Sequence, residues 1–178
     1  MAGVSELVRA ELDRHPWETL RCGCGDSAGH VPMMFEVVIE AESARDMIGY
    51  TLDGHLELGT NLFAVSVPAV SVILAALAGE LSPPARAEFL ETLGRMVSGE
   101  SHFTQAALGR THLGDECRAR CREGLWVVGR IGLTGSAVEA ETAADIFEFV
   151  DLDEARSAFY QARLRRRRAA KTKRRRSL

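Results

Sequence analysis

Lysine is nearly missing from this chain. Its two copies, Lys171 and Lys173, both sit near the C-terminal end, so a phosphate-cradling P-loop and Ser–Lys nucleophilic chemistry are excluded on residue supply. The five histidines (His15, His30, His55, His102 and His112) form no HExxH and no Glu-x-x-His pair, the patterns that zincins and di-iron bundles need. No Gly-x-Ser-x-Gly elbow occurs, and Gly135-Ser136 reads as a helix cap instead. No uninterrupted apolar run approaches the length of about 18 residues that a membrane span requires. The opening MAGVSELVRAELDRH lacks the apolar block of a secretory signal, and the expected location is cytoplasmic. Aromatic residues make up only 6% of the chain, and frequent alanine favours helices packed through small side chains.

The 178 residues, 46% hydrophobic and 26% charged, suit one globular domain with a substantial core. The net charge of −3 conceals a split, because residues 161–178 hold ten of the 22 basic groups and no acid. The other 160 residues carry 12 basic and 25 acidic groups, a formal −13. Such a body repels nucleic acid and attracts cationic partners, while the tail does the reverse. The expected organisation is therefore a helical domain over 1–160 and a basic tail over 161–178.

Apolar spacing predicts helices almost throughout. Ser5 to Arg14 forms a short one, and His15-Pro16 stops it. Trp17 and Leu20 lock this segment to the core, and residues 22–30 make a Gly-rich loop. Val31-Pro32 opens a second helix with Phe35, Val38 and Ile39 inward. Ser43 and Asp46 make a capping box for a third, with Met47, Thr51, His55 and Leu58 along one face. A connector over residues 59–65 leads to two helices, Val67 to Leu77 and Ala85 to Val97, with Ser82 as N-cap and Pro83 at the first turn. After a break over 99–114, Asp115 starts a helix bearing Cys117, Cys121, Leu125 and Val128. Ser136 with Glu139 caps the next, carrying Val138, Ile146 and Phe149. Asp151 or Asp153 caps a last helix through Phe159. Val31-Pro32 and Val67-Pro68 stand 36 residues apart, and helix pairs at such a period are the mark of an α-solenoid. The expected fold is all-α, a short solenoid of about seven helices in antiparallel pairs, with an ordinary helical bundle as the alternative.

Four segments carry a resemblance to a known family: Trp17-Glu-Thr-Leu20, Gly25-Asp-Ser-Ala-Gly-His-Val-Pro32, Ala64-Val-Ser-Val-Pro-Ala-Val70, and Pro84-Ala-Arg-Ala-Glu-Phe-Leu90 with its Gly99 stop. Over roughly residues 15–150 the chain resembles the small HEAT-repeat-like proteins of actinobacteria. It departs from their pattern at Ala69-Val70, where Phe-Leu is usual. The resemblance implies an α-solenoid used as a binding surface, and some relatives look like immunity proteins against secreted toxins.

Three function classes follow. The favoured one is a non-catalytic immunity or adaptor protein that docks a basic protein partner through an acidic wall of Glu139, Glu141, Asp145 and Glu148. A second acidic group, Glu36, Glu40, Glu42 and Asp46, reads as a solvated face. The alternative class is a nucleic-acid-associated protein that neutralises phosphates non-specifically through Arg165, Arg166, Arg167, Arg168, Lys171, Lys173, Arg174, Arg175 and Arg176. The tail has no aromatic residue, so base stacking is not its mode. The third class is an enzyme whose groups come from distant segments. No catalytic residue, metal, cofactor or membrane partner is assigned. The four cysteines arrive as Cys22-Gly-Cys24 and Cys117-Arg-Ala-Arg-Cys121. A zinc site built from both pairs with His30 is set aside, because neither spacing is the familiar two-residue interval. Cys117 and Cys121 read as small core residues, His55 as a structural histidine, and Cys22 and Cys24 as loop thiols open to oxidation.

Overall fold

The computed structural model describes residues 3–175, with side chains up to residue 167. The fold is mostly helical, with one small sheet. Helix α1 (Glu6–Asp13) is capped by the Ser5 hydroxyl, which accepts from the Val8 amide. Its chain then turns so that the buried Trp17 ring donates to the Leu12 carbonyl at 2.6 Å. Helix α2 (Val31–Glu40) buries Val31, Met34, Phe35, Val38 and Ile39.

The third predicted helix is replaced by something else. Ser43 and Asp46 do form their capping box, yet it closes only a 3-10 turn over Ala44–Met47. Gly49 and Gly54 then adopt φ of +84° and +77°, values in the left-handed region that a continuing helix does not allow. Loop follows as far as β1 (Glu57–Leu58), and His55 and Thr51 lie on that loop rather than on a helix face.

Strand β1 pairs antiparallel with β2 (Asn61–Leu62). Gly59 and Thr60 between them both have positive φ, +52° and +73°, the conformation of a two-residue primed hairpin turn. The predicted connector over 59–65 therefore contains a strand. Buried Glu57 ties this hairpin to the interior by pairing with Arg95 and accepting from the Thr60 amide at 3.2 Å.

Helix α3 (Ser66–Ala78) is buried on nearly every side from Ala69 to Leu77. It turns at Gly79 and pairs with α4 (Pro83–Val97), whose N-cap Ser82 accepts from the Ala85 amide as its position predicts. Beyond α4, β3 (Glu100–Ser101) runs parallel to β2 and completes the sheet. The break over 99–114 thus holds a strand and a short helix, α5 (Phe103–Ala107).

The stripe Cys117, Cys121, Leu125 and Val128 is buried, but over two helices, α6 (Leu113–Arg122) and α7 (Leu125–Thr134). Both pack on α3. Helix α8 (Ala137–Val150) starts at the predicted Ser136–Glu139 capping box and packs against α4, α6 and α7. Its inward face is Ala140, Ala143, Ala144, Ile146, Phe147 and Val150, leaving Val138 and Phe149 exposed.

The last helix, α9 (Glu154–Arg175), runs well past Phe159. The Asp153 carboxylate accepts from the Arg156 amide near its start. Residue 160, the expected domain boundary, falls inside this helix, and Leu164 beyond it is fully buried against the core. Among the described residues, no helix is long and apolar enough to cross a membrane.

Leu164→Ala tests whether the start of the basic segment belongs to the folded unit. Truncating a fully buried leucine is expected to lower the unfolding free energy by about 2–4 kcal/mol in a urea titration. A loss under about 0.5 kcal/mol, typical of surface positions, would contradict that packing.

Candidate metal centre

Residues 21–30 fold into a compact loop before α2. Arg21 and Ser27 form an antiparallel bridge, the Cys22 amide donates to the Asp26 carbonyl at 3.1 Å, and the Gly25 amide donates back to the Cys22 carbonyl at 3.2 Å. Gly25 turns at φ +96°, so Cys22 and Cys24 share one tight turn. A 3-10 turn over Ala28–His30 then delivers His30 directly in front of α2.

The second contributor is the loop that replaced the predicted third helix. Gly54 donates to the Glu57 carbonyl at 2.8 Å and His55 to the Leu52 carbonyl at 3.2 Å, which points this bend at the first loop. The two loops meet where the Gly23 amide donates to the His55 carbonyl at 2.8 Å. A Cβ on Gly23 would lie 2.7 Å from the Gly54 carbonyl oxygen and 3.1 Å from the Phe63 ring. The residue between the cysteines is therefore glycine for a packing reason.

This seam brings together four donors. Cys22 Sγ lies 3.4 Å from His55 Nδ1 and 3.6 Å from His30 Nε2, Cys24 Sγ lies 3.8 Å from His30 Nε2, and the two histidine nitrogens are 2.9 Å apart. One donor atom from each of the four falls within 4.8 Å of all the others. A tetrahedron with metal–ligand bonds of 2.0–2.3 Å has edges of about 3.3–3.8 Å, and these separations are close to that shape. Cys22 is buried, His30 and His55 are half-buried, and Cys24 is exposed.

Burial pushes the Cys22 thiol up to about 12. Burial, followed by the neighbouring His30 and opposed by Asp53, holds His55 below its usual 6.5. At neutral pH, protons alone leave His55 with an uncharged imidazole beside a protonated thiol. A divalent cation reverses the balance at sulfur, because a coordinating thiol loses its proton. Two sulfurs and two imidazole nitrogens in a compact arrangement are the donor set of zinc.

The other cysteine pair takes no part. Cys117 and Cys121 are buried on α6 with thiols pushed by burial to about 12, in keeping with small core residues. The pairing to be considered is thus Cys22-Gly-Cys24 with His30 and His55, and His55 is the member that helical spacing hides.

The predicted acidic wall is largely engaged by the chain itself. Buried Glu139 pairs with Arg86 and caps α8 through the Ser136 amide. Asp145 and Glu148 accept from Arg165 at 3.3 and 2.9 Å, and Glu141 is half-buried on the same helix. Among the predicted tail residues, Arg166 donates to the Ala162 carbonyl at 3.1 Å and Arg167 to the Gly135 carbonyl at 3.4 Å. The side chains of Arg168, Lys171, Lys173, Arg174 and Arg175, and all of Arg176, lie outside the described residues.

No family model matches the chain, and no curated protein or solved structure matches it either.

Glu139 supplies a pH test. Burial raises its pKa, but hydrogen bonds from Arg86 and Ser136 outweigh that and hold it below the usual carboxylate value. Its stabilisation is therefore present above the unfolded-state pKa and lost as pH falls through the folded one. Glu139→Gln is expected to cost about 1–3 kcal/mol at neutral pH. Urea midpoints of variant and wild type should converge on acidification, and a penalty that stays constant would refute the ion-pair assignment.

Proposed function

We propose that this chain is a zinc-binding helical protein whose metal ion is structural and whose helical body acts by docking another macromolecule. The observation that carries the metal reading is the convergence of Cys22, Cys24, His30 and His55 at one point. Four protein donors complete a tetrahedral shell and leave no position for a substrate. The ion would clasp the loop before α2 to the loop before β1, two segments otherwise joined by few hydrogen bonds. The body's formal −13 over residues 1–160 supports a cationic protein as partner. The resemblance to small HEAT-repeat-like proteins, some of which look like immunity proteins, and the solenoid stacking it implies support the same reading.

Elemental analysis of the full chain after incubation with zinc chloride and gel filtration tests the metal. One zinc per chain is expected, with a chelator lowering the melting temperature by several degrees, since metal binding adds to folding free energy. His55→Ala should weaken zinc binding at least tenfold, while Cys117→Ala should leave it unchanged. Zinc should also dissociate on acidification, because protons compete with the ion for its sulfur and nitrogen ligands. A chain that holds no zinc and shows no thermal response to it refutes the proposal.

The second reading is phosphate-backbone binding by the basic run. It is favoured by the course of α9, which carries that run on a helix continuous with the core. A chain ending at Arg167 keeps Leu164 and Arg165 in place. Its affinity for duplex DNA should fall well below that of the full chain at low salt and match it at high salt. Equal affinities at both salt levels would remove this reading.

A further inference from the structure

We propose that the Cys22–Cys24 turn is an oxidation site at which a hydroperoxide converts the two metal-binding sulfurs to a disulfide and ejects the ion. This rests on the zinc reading above and adds its regulation.

The cluster is built asymmetrically. Cys24 is the exposed donor, with its sulfur 3.8 Å from His30 Nε2. Cys22 is buried to 2% exposure, with its sulfur between His30, His55 and the His55 carbonyl oxygen at 3.4 Å. An oxidant arriving from solvent therefore meets Cys24 first. The sulfur best placed to react with the product is Cys22, within 4.8 Å and on the same turn, held there by the Gly25-to-Cys22 hydrogen bond of 3.2 Å. Cys117 and Cys121 are fully buried on α6 and present no competing thiolate, because reactivity requires access and ionisation.

The chemistry balances as follows. The Cys24 thiolate gives an electron pair to one peroxide oxygen, the O–O bond breaks, an S–O bond forms, and the departing hydroxide takes a proton to become water. The Cys22 thiolate then attacks the Cys24 sulfur, an S–S bond forms, the S–O bond breaks, and the second hydroxide leaves as water with a second proton. Two thiolates have lost two electrons and one hydrogen peroxide has become two waters. Disulfide sulfur is a poor ligand, so two imidazoles alone remain on the ion and it dissociates. The event unfastens the Gly23–His55 seam and leaves the helical core intact.

The test uses the full chain loaded with zinc and treated with equimolar hydrogen peroxide. Zinc release is followed with a chromogenic chelator, and the peptide containing residues 22–24 is followed by mass spectrometry. Release is expected to run at least tenfold faster than without peroxide, in step with a loss of about 2 Da from that peptide, as disulfide formation removes two hydrogens. A thiol reductant with added zinc should restore the starting state. Cys117→Ala/Cys121→Ala should release zinc at the same rate. Zinc that stays bound, or that leaves with Cys24 as a sulfinate and Cys22 unmodified, overturns the proposal. A chain that takes up no zinc before peroxide is added refutes the metal reading itself.

Discussion

Helix α3 has almost no side that tolerates water. From Ala69 to Leu77 each residue is buried, and a helix apolar all round is stable only when covered on every face. The covering is supplied by α1, α4, α6 and α7, drawn from the start of the chain and from residues 83–134. Ser66 at its first turn fastens the loops as well, donating to the Leu56 carbonyl at 2.6 Å while accepting from the Phe63 amide at 2.9 Å. The hydrophobic effect at this one helix therefore positions the bend that holds His55.

That arrangement explains how a metal-ligand set can arise from residues far apart in sequence. Cys22, Cys24 and His30 come from a loop that leads into α2, and His55 comes from a loop that leads into the small sheet. Each loop is shaped by its own glycines and backbone hydrogen bonds. Their meeting is fixed by the close approach of Gly23 to the Gly54 carbonyl. The ligand geometry is thus prepared by backbone packing, which lowers the ordering cost when an ion binds.

The helical elements were legible because their signals are local. Ser5, Ser82 and the Ser136–Glu139 box start helices where the residues say they do. The segment between Ser43 and Leu58 misleads because Met47, Thr51, His55 and Leu58 fall at helical spacing, while Gly49 and Gly54 set the backbone at positive φ. Spacing reports which side chains could share a face, and cannot report a turn that intervenes. The hairpin at Gly59-Thr60 was hidden for a related reason, since Thr60 is an unusual residue at positive φ. With His55 placed on a helix, its meeting with Cys22 was unreadable, although Cys22-Gly-Cys24 and His30 were already neighbours on one loop. The acidic group shows a different limit: its charges were visible, but the arginines that pair with Glu139, Asp145 and Glu148, namely Arg86 and Arg165, lie on other helices.

One rod joins the interior to the cationic end of the chain. Leu164 is locked in the core, and α9 continues without interruption to Arg175. Each residue of an α-helix advances the azimuth by about 100°. An insertion or deletion of a single residue just after Leu164 would therefore turn every later backbone position of α9, as far as Arg175, round the axis by that angle. The azimuth of these later α9 backbone positions is a matter of phase, inherited from a leucine.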